Sequence, residues 1–555
     1  MPNTFIDSNT ARLIGLDYVL AQLTPVSAYG LAAKQAMQPF LPGAETSLTI
    51  LFAQQAELLA ACQVDDTHLA ALRHQLAQLP DWRNALARLE AGVTLSDVDF
   101  LGLKQLLYWH VAIKNSMRQL PLPNDVPVLD ASFDSLMQLL DPDKTGSPSF
   151  YLADSYSPHL ASLRCRMRQL RQTLHRYASE QDQALAAQLG LRQLPTGEFR
   201  APKAEAALCQ SLAEHSALTV SRTTYTDIYY ERQPSRQELS WTEELAALQA
   251  ESKAAEAEVR AQLSAQISQH SYVLSALLQA LGRLDLLLAK VRLASRWHCT
   301  SPQILARETS TSASVCFVEA CHPQVAAELA QRAADFQPIS WQVASGSTVL
   351  TGANMGGKTV ALRLIGLLTA MAQYGLMVPA KNYSLTLFRG IRLVTSSYSA
   401  ATPGLSRFGS EVKALRHILP LTKQPFLLLY DELASGTNPV EGSALAQAIV
   451  EYTAEQPSVN IFATHYAELT HLTGVAHWQA IGLSQADPEQ LAQAFASGRA
   501  SLADLPELMD YRLQPVPPGQ ALPQEALGVA QLLGLPAHLI DRASELVHAH
   551  KEVSH

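Results

Sequence analysis

Paired cysteines are missing. The six in this chain (Cys62, Cys165, Cys209, Cys299, Cys316, Cys321) include no CxxC spacing, which speaks against both a zinc site and a disulfide framework and leaves reduced, structural thiols. Uninterrupted apolar runs are short, none approaching the roughly 18 residues of a membrane span. The amino terminus, MPNTFIDSNTARL, lacks the basic and apolar regions of a secretory leader. A cytoplasmic protein without a membrane partner is expected. Positive charge is not in excess either: 41 Lys+Arg against 50 Asp+Glu leave a net charge of −9, so no global basic field drives indiscriminate nucleic-acid binding. Low-complexity tracts and solenoid repeats are also missing. What is present is a 555-residue chain, 48% hydrophobic, long enough for about three or four domains.

Residues 1–120 carry apolar side chains at helical spacing, such as Leu13, Leu16, Leu20 and Leu23, and later Leu51, Leu58 and Leu59. Breaks at Thr24–Gly30 and Pro39–Gly43 separate these helices, and a Pro-rich connector, Leu120–Val128, with a polar turn, Asp141–Ser149, closes the region. Ser157–Leu189 is helical and rich in arginine between Arg164 and Arg176, a solvated face in the plain reading and a phosphate-contacting one in the alternative. Leu218–Tyr230 has the β-branched and aromatic composition of strands. Ser240, with Glu243 completing a capping box, is predicted to start a helix that runs unbroken to about Arg296, a rod of up to roughly 85 Å. A strand-bearing tip on long helical arms follows. Beyond Arg296 strands, glycine turns and helices alternate as in an α/β domain with a largely parallel sheet. Pro523–His550 reads as two short helices broken at Gly534–Pro536.

The chemistry concentrates in Leu350–Gly375, where a short strand meets a glycine-rich turn and an amphipathic helix. Gly352-x-x-x-x-Gly357-Lys358-Thr359 is a complete P-loop. Its glycines let the turn through Ala353, Asn354, Met355 and Gly356 curl backbone N–H groups toward phosphate oxygens at a helix start. Lys358 would meet the β- and γ-phosphates and Thr359 would ligate Mg²⁺. The apolar run Phe426–Tyr430 ends in Asp431 and Glu432, one placed to hold the Mg²⁺ shell and the other to orient or deprotonate the attacking water. Val459–Phe462 leads to Ala463-Thr464-His465, whose histidine can sense the γ-phosphate or orient water. A surface histidine at a strand end is the plain alternative.

TGANMGGKT, Leu427–Ala446 (LLLYDELASGTNPVEGSALA) and Phe462–Leu469 (FATHYAEL) resemble the ATPase domain of the MutS family. The resemblance extends to Cys321-His322-Pro323, to Leu405–Glu411 (LSRFGSE), similar to the family's signature segment, and to Ala526–Leu535, similar to its helix-turn-helix dimerisation segment. It implies ATP and Mg²⁺ as cofactors and ATP hydrolysis as the activity. It also implies a homodimer in which Ser406 reaches the γ-phosphate held by the partner, and Phe336 as the aromatic that stacks on adenine. Asp7–Leu41 resembles the start of the family's core domain and Ser157–Arg296 its lever arms with a clamp. The implied fold is multidomain: an α-helical core at 1–150, lever helices with a clamp-like tip at 151–300, an α/β P-loop ATPase domain at 301–522, and the dimerisation segment at 523–555.

Departures from the family pattern shape the functional expectation. The chain starts at the core domain, so the mismatch-reading and connector domains are expected to be missing, and Phe317-Val318-Glu319 matches the mismatch-reading Phe-x-Glu spacing by coincidence. The Asn438–Gly442 segment is closer to the second bacterial MutS type, whose terminal Smr nuclease domain is likewise expected to be missing. Between Ser216 and Glu238 three basic residues (Arg222, Arg232, Arg236) face three acidic ones (Asp227, Glu231, Glu238), a neutral tip that supplies little phosphate affinity. Tyr225, Tyr229 and Tyr230 could stack on bases or pack as strand aromatics. The leading reading is a dimeric, ATP-driven clamp on mismatched or otherwise unusual DNA. The alternative client is a protein, because short MutS-like chains also resemble the reactivating factor of a cobalamin enzyme, lysine 5,6-aminomutase.

Overall fold

The computed structural model describes residues 4–64, 67–118, 132–306, 313–352, 357–395, 407–482, 510–517, 530 and 535–553. The chain forms two compact units that interleave in sequence, one from residues 1–77, 113–128 and 279–555, the other from 78–112 and 129–278.

The first unit opens with helices α1 (Ser8–Leu13), α2 (Leu16–Gln22), α3 (Ala28–Gln35), α4 (Glu45–Val64) and α5 (Thr67–Ala77). Their starts follow capping chemistry: Asp7 accepts from the Thr10 N–H at 2.8 Å ahead of α1, and Ser27 Oγ accepts from the Gly30 N–H at 3.0 Å ahead of α3. The buried Asp285 carboxylate closes the start of α3 from a distant part of the chain. It accepts from the backbone N–H of Val26 and Ser27 and from the Ser27 hydroxyl, the last at 2.6 Å.

The second unit holds α6 (Arg83–Glu90), most of α7 (Asp97–Met117), α8 (Asp134–Leu140), α9 (Pro158–Leu189), α10 (Ala206–Ala213) and α11 (Arg236–Ser268). The capping box sits at Ser235 and Glu238, ahead of the predicted Ser240 and Glu243. Arg232 explains the choice: its guanidinium grips both oxygens of the buried Glu238 at 2.6 Å and Asp182 of α9 at 2.6 Å, fixing that turn. The predicted rod is also interrupted. α11 ends at Ser268 and α12 (Ser271–Arg296) begins after Gln269 and His270. The hydroxyls of Ser268 and Ser271 donate to the carbonyls of Ala265 and Ser268 at 2.8 and 2.7 Å, the local competition by which serines weaken a helix interior. Among the described helices α12 alone is long and apolar enough to cross a membrane, and 61% of its most apolar window is buried within the protein.

Strands β1 (Phe199–Pro202), β2 (Leu218–Thr223) and β3 (Asp227–Arg232) form an antiparallel sheet in the order β1-β3-β2. One face buries Phe199, Ala201, Leu218 and Tyr230 with Leu185 and Leu212. Register aligns Arg200, Tyr229 and Arg222 across the other face, where the Arg222 guanidinium lies 3.8 Å over the Tyr229 ring. Each arginine has a carboxylate: Arg222 with Glu198 at 3.0 Å and Arg200 with Asp227 at 2.8 Å. The sheet face is therefore neutral, as composition suggested. At the β2–β3 hairpin Tyr225 is 96% exposed.

The rest of the first unit is α/β. β4 (Gln303–Ile304), β5 (Ser314–Ala320), β6 (Ile339–Ala344) and β8 (Asn382–Leu385) form one sheet in the order β4-β8-β5-β6. A larger sheet contains β7 (Gly346–Thr351), β9 (Gly390–Thr395), β10 (Phe426–Asp431), β11 (Val459–Ala463), β12 (Ala476–Gly482) and β13 (Asp510–Pro515), in the order β13-β12-β7-β11-β10-β9. All its pairings are parallel except β13 on β12. The helices here are α13 (Pro323–Ala330), α14 (Lys358–Gln373), α15 (Arg407–Ile418), α16 (Pro439–Ala454) and α17 (Ala537–Val553). β10 shows why a continuous apolar run makes a central strand: Leu427 and Leu429 enter the core shared with α14, while Phe426, Leu428 and Tyr430 enter the core shared with α15 and α16.

Candidate functional site

Register places Leu350, Ala463 and Asp431 side by side on β7, β11 and β10. The segments that follow these strands therefore leave the same C-terminal edge of the sheet, where ligands of open parallel sheets bind. Gly352 follows β7 at φ 126°, and a Cβ there would lie 2.8 Å from the Ala480 carbonyl oxygen, so only glycine allows the chain past β12. Gly357, at φ 83°, ends the turn as the N-cap of α14. Lys358 is buried and its ammonium donates to the Gly352 carbonyl at 2.5 Å, bridging the two ends of the turn.

Thr359 Oγ1 donates to Asp431 Oδ2 at 2.9 Å, with Oδ1 at 3.2 Å. Burial pushes the Asp431 carboxyl above its usual range, with the neighbouring Glu432 adding to the rise. The Thr359 hydrogen bond and the charges of Arg363 and Lys358 oppose it. A half-buried carboxylate beside a hydroxyl oxygen is a donor pair that suits a hard divalent cation, and a cation there would relieve the desolvation of Asp431. Among the described residues no group of three His, Cys, Asp or Glu could cage a metal. Such a pair could hold Mg²⁺, whose remaining positions would be filled by water and substrate oxygens.

Glu432, the first residue after β10, adopts φ 56° and donates its N–H to the Ala463 carbonyl at 2.9 Å. Ala434 is also left-handed, at φ 59°. His465, just past β11, is exposed, and its ring lies 4.5 Å from that of Tyr466. Lys358, Thr359, Asp431, Glu432 and His465 are thus gathered at one sheet edge. Ala353, Asn354, Met355, Gly356 and Ser406 lie outside the described residues, as does most of Ala526–Leu535.

Phe336 lines a cavity of about 580 Å³ together with Val325, Leu329, Gln337, Gly357, Lys358, Thr359 and Tyr511. Tyr511 was not singled out by sequence, and its ring lies so close to Gly357 that a Cβ there would meet it at 2.9 Å. Gln337 fixes that approach, accepting from the Tyr511 N–H at 2.7 Å and donating to Asp510 at 3.2 Å. The only sequence signal was an aromatic in a short β-like stretch far from any motif. His322 caps α13, which contributes Val325 and Leu329 to the lining. It contacts the Ile14 carbonyl through Nε2 at 3.1 Å. Burial lowers its pKa to about 4. Accepting from Val325 through Nδ1 leaves the Nε2 proton to donate to Ile14.

Two other expectations can be placed. Phe317 is buried in β5 and stacks on Tyr383, while Glu319 pairs with Lys381 at 3.1 Å, so this Phe-x-Glu spacing is structural. Cys165, Cys209, Cys299, Cys316 and Cys321 are all free.

Residues 348–551 match the family model for MutS domain V. The chain is 30% identical to an Endonuclease MutS2 of Fusobacterium nucleatum over 267 residues, which is 48% of this chain and 30% of that protein. It is 32% identical to one of Clostridium botulinum over 266 residues, 47% and 30% of the two chains. A third, of Pelotomaculum thermopropionicum, is 31% identical over 311 residues, 55% and 35% respectively. The matches therefore span about a third of the length of these relatives.

Proposed function

We propose that this MutS-family chain is an ATP hydrolase that works as a homodimeric clamp on DNA of unusual structure. The observation that carries the catalytic part is the Thr359 hydroxyl held on the Asp431 carboxylate at 2.9 Å, directly before Glu432 and at the start of α14. In this reading the triphosphate lies beside Gly352 and Gly357, with the positive end of α14 facing its oxygens. Lys358 leaves the Gly352 carbonyl for the β- and γ-phosphates. Thr359 and Asp431 hold Mg²⁺, which when bound offsets the charge of the phosphate oxygens. Glu432 aligns a water and draws its proton as the oxygen bonds to the γ-phosphorus, the bond from that phosphorus to the β–γ bridging oxygen breaks to release ADP and phosphate, and His465 steadies the γ-phosphate from the neighbouring strand end. The base enters the cavity between Phe336 and Tyr511. Ser406 of a second copy closes the site, and the proposed domains at 1–150, 151–300, 301–522 and 523–555 act as core, lever and clamp, ATPase and dimerisation segment.

A nucleic-acid client is preferred to a cobalamin enzyme because the similar proteins are described as endonucleases. The paired arginines of the β1–β3 face imply that the clamp holds its client by enclosure more than by phosphate attraction. The test is Mg²⁺-dependent ATP turnover of the full chain with and without branched, mismatched and plain duplexes, beside Lys358→Ala. Stimulation by an unusual duplex, lost with Lys358→Ala, is expected. Turnover indifferent to every DNA would refute the client, and turnover unaffected by Lys358→Ala would refute the site.

A further inference from the structure

The geometry points to Glu411 as a positioning residue that holds the left-handed turn carrying Glu432 in place for water activation. This rests on the reading of Glu432 given above.

Two non-glycine residues with positive φ, Glu432 and Ala434, fall within three positions of each other. A non-glycine residue in this region is strained by its own Cβ, so such a turn persists only where its surroundings fix it. The fixing contacts converge on Ala434. Its N–H donates to Glu411 Oε1 at 2.5 Å, and its carbonyl accepts from the Tyr466 hydroxyl at 3.2 Å. Gly442 lets α16 close over the same carbonyl, since a Cβ there would lie 2.7 Å from it.

Glu411 is the one ionisable side chain in this set that comes from outside the strand ends. It sits on α15, the helix that begins directly after Ser406, and is only 3% exposed. An apolar side chain could pack between α15 and the buried Leu433 and Ala434 with no desolvation penalty. A carboxylate at this position offsets its burial in part by accepting the N–H that the left-handed turn presents. Glu411 therefore ties the helix behind the signature segment to the backbone two residues from Glu432, and loss of that tie lets Glu432 drift from the water. A side chain serving only general stability would lower melting temperature without separating catalysis from nucleotide binding.

The experiment compares steady-state Mg²⁺-ATP hydrolysis and equilibrium ATP binding of the full chain for wild type, Glu411→Ala, Glu411→Gln, Tyr466→Phe and Glu432→Gln. Glu411→Ala should lower kcat roughly tenfold or more while KM and ATP affinity stay within about twofold. Glu411→Gln should recover to within about threefold of wild type, because its amide oxygen accepts the same N–H. Tyr466→Phe, which frees the other side of Ala434, should fall between them. If Glu411→Ala does not fold, near-wild-type kcat in Glu411→Gln with reduced kcat in Tyr466→Phe still supports the tie. Wild-type kcat in Glu411→Ala beside an inactive Glu432→Gln overturns it. So does a Glu411→Gln as impaired as Glu411→Ala, or a parallel loss of binding and turnover. An active Glu432→Gln instead removes the reading of Glu432 itself.

Discussion

At the scale of single residues, side chains that the motif spacing singled out lie together at one edge of the sheet, because a P-loop and a strand-end carboxylate are local patterns. Lys358, Thr359, Asp431 and Glu432 were legible for that reason. The contacts of Tyr511 and Glu411 were not legible, since their partners, Gln337 and Ala434, lie more than twenty positions away in the chain. His322 was visible as part of a resemblance, but its role appears only with Ile14 and Val325 beside it. That role has a pH signature. With a native pKa of about 4 against an ordinary 6.5, the unfolded chain binds a proton that the native chain refuses between those values. Stability from this residue is full above about pH 6.5 and is lost as pH falls toward 4, at up to about 1.4 kcal/mol per pH unit. His322→Asn keeps an N-cap acceptor and does not titrate. Denaturant unfolding from pH 4 to 7 should show a shallower acid slope for the variant, and an unchanged slope would remove His322 as its source.

Elements were legible where period and punctuation agree, and not where a distant partner decides. β7, β10 and β11 announced themselves as apolar runs and α14 as the helix after the glycines. The start of α11 moved to Ser235 because Arg232 and Asp182 secure Glu238, contacts that no local pattern reveals. The break between α11 and α12 was written in Ser268 and Ser271, whose back-bonding is weak as a sequence signal. Close approach of α16 gives a direct test: in Gly442→Ala the new methyl would lie 2.6 Å from the Tyr466 hydroxyl and 2.7 Å from the Ala434 carbonyl. A loss of about 1–3 kcal/mol by thermal unfolding is expected, with slower ATP turnover because the same turn carries Glu432. A fully active, equally stable variant would contradict the packing described. On the β1–β3 sheet, Glu198→Gln releases Arg222 from its carboxylate. If the clamp meets DNA through this face, the slope of log affinity against log salt should steepen by about one phosphate contact, and an unchanged slope would place the contact elsewhere.

For the whole molecule, the interleaving of the two units is a property of contacts between far-apart segments and leaves no trace in composition or period. The neutral charge balance of the strand-bearing sheet, by contrast, was readable from residue counts and is realised as specific ion pairs. The functional account needs the molecule to hold ATP until Glu432 activates water and, in the paired state, to close around its client. The most direct measurement is ATP retention and turnover in Glu432→Gln, with molecular mass followed in Mg²⁺-ATP. Binding at wild-type affinity, turnover slower by roughly 10²-fold or more, and accumulation of an ATP-bound dimer are expected. Wild-type turnover, or a monomer that carries no ATP, would contradict the account.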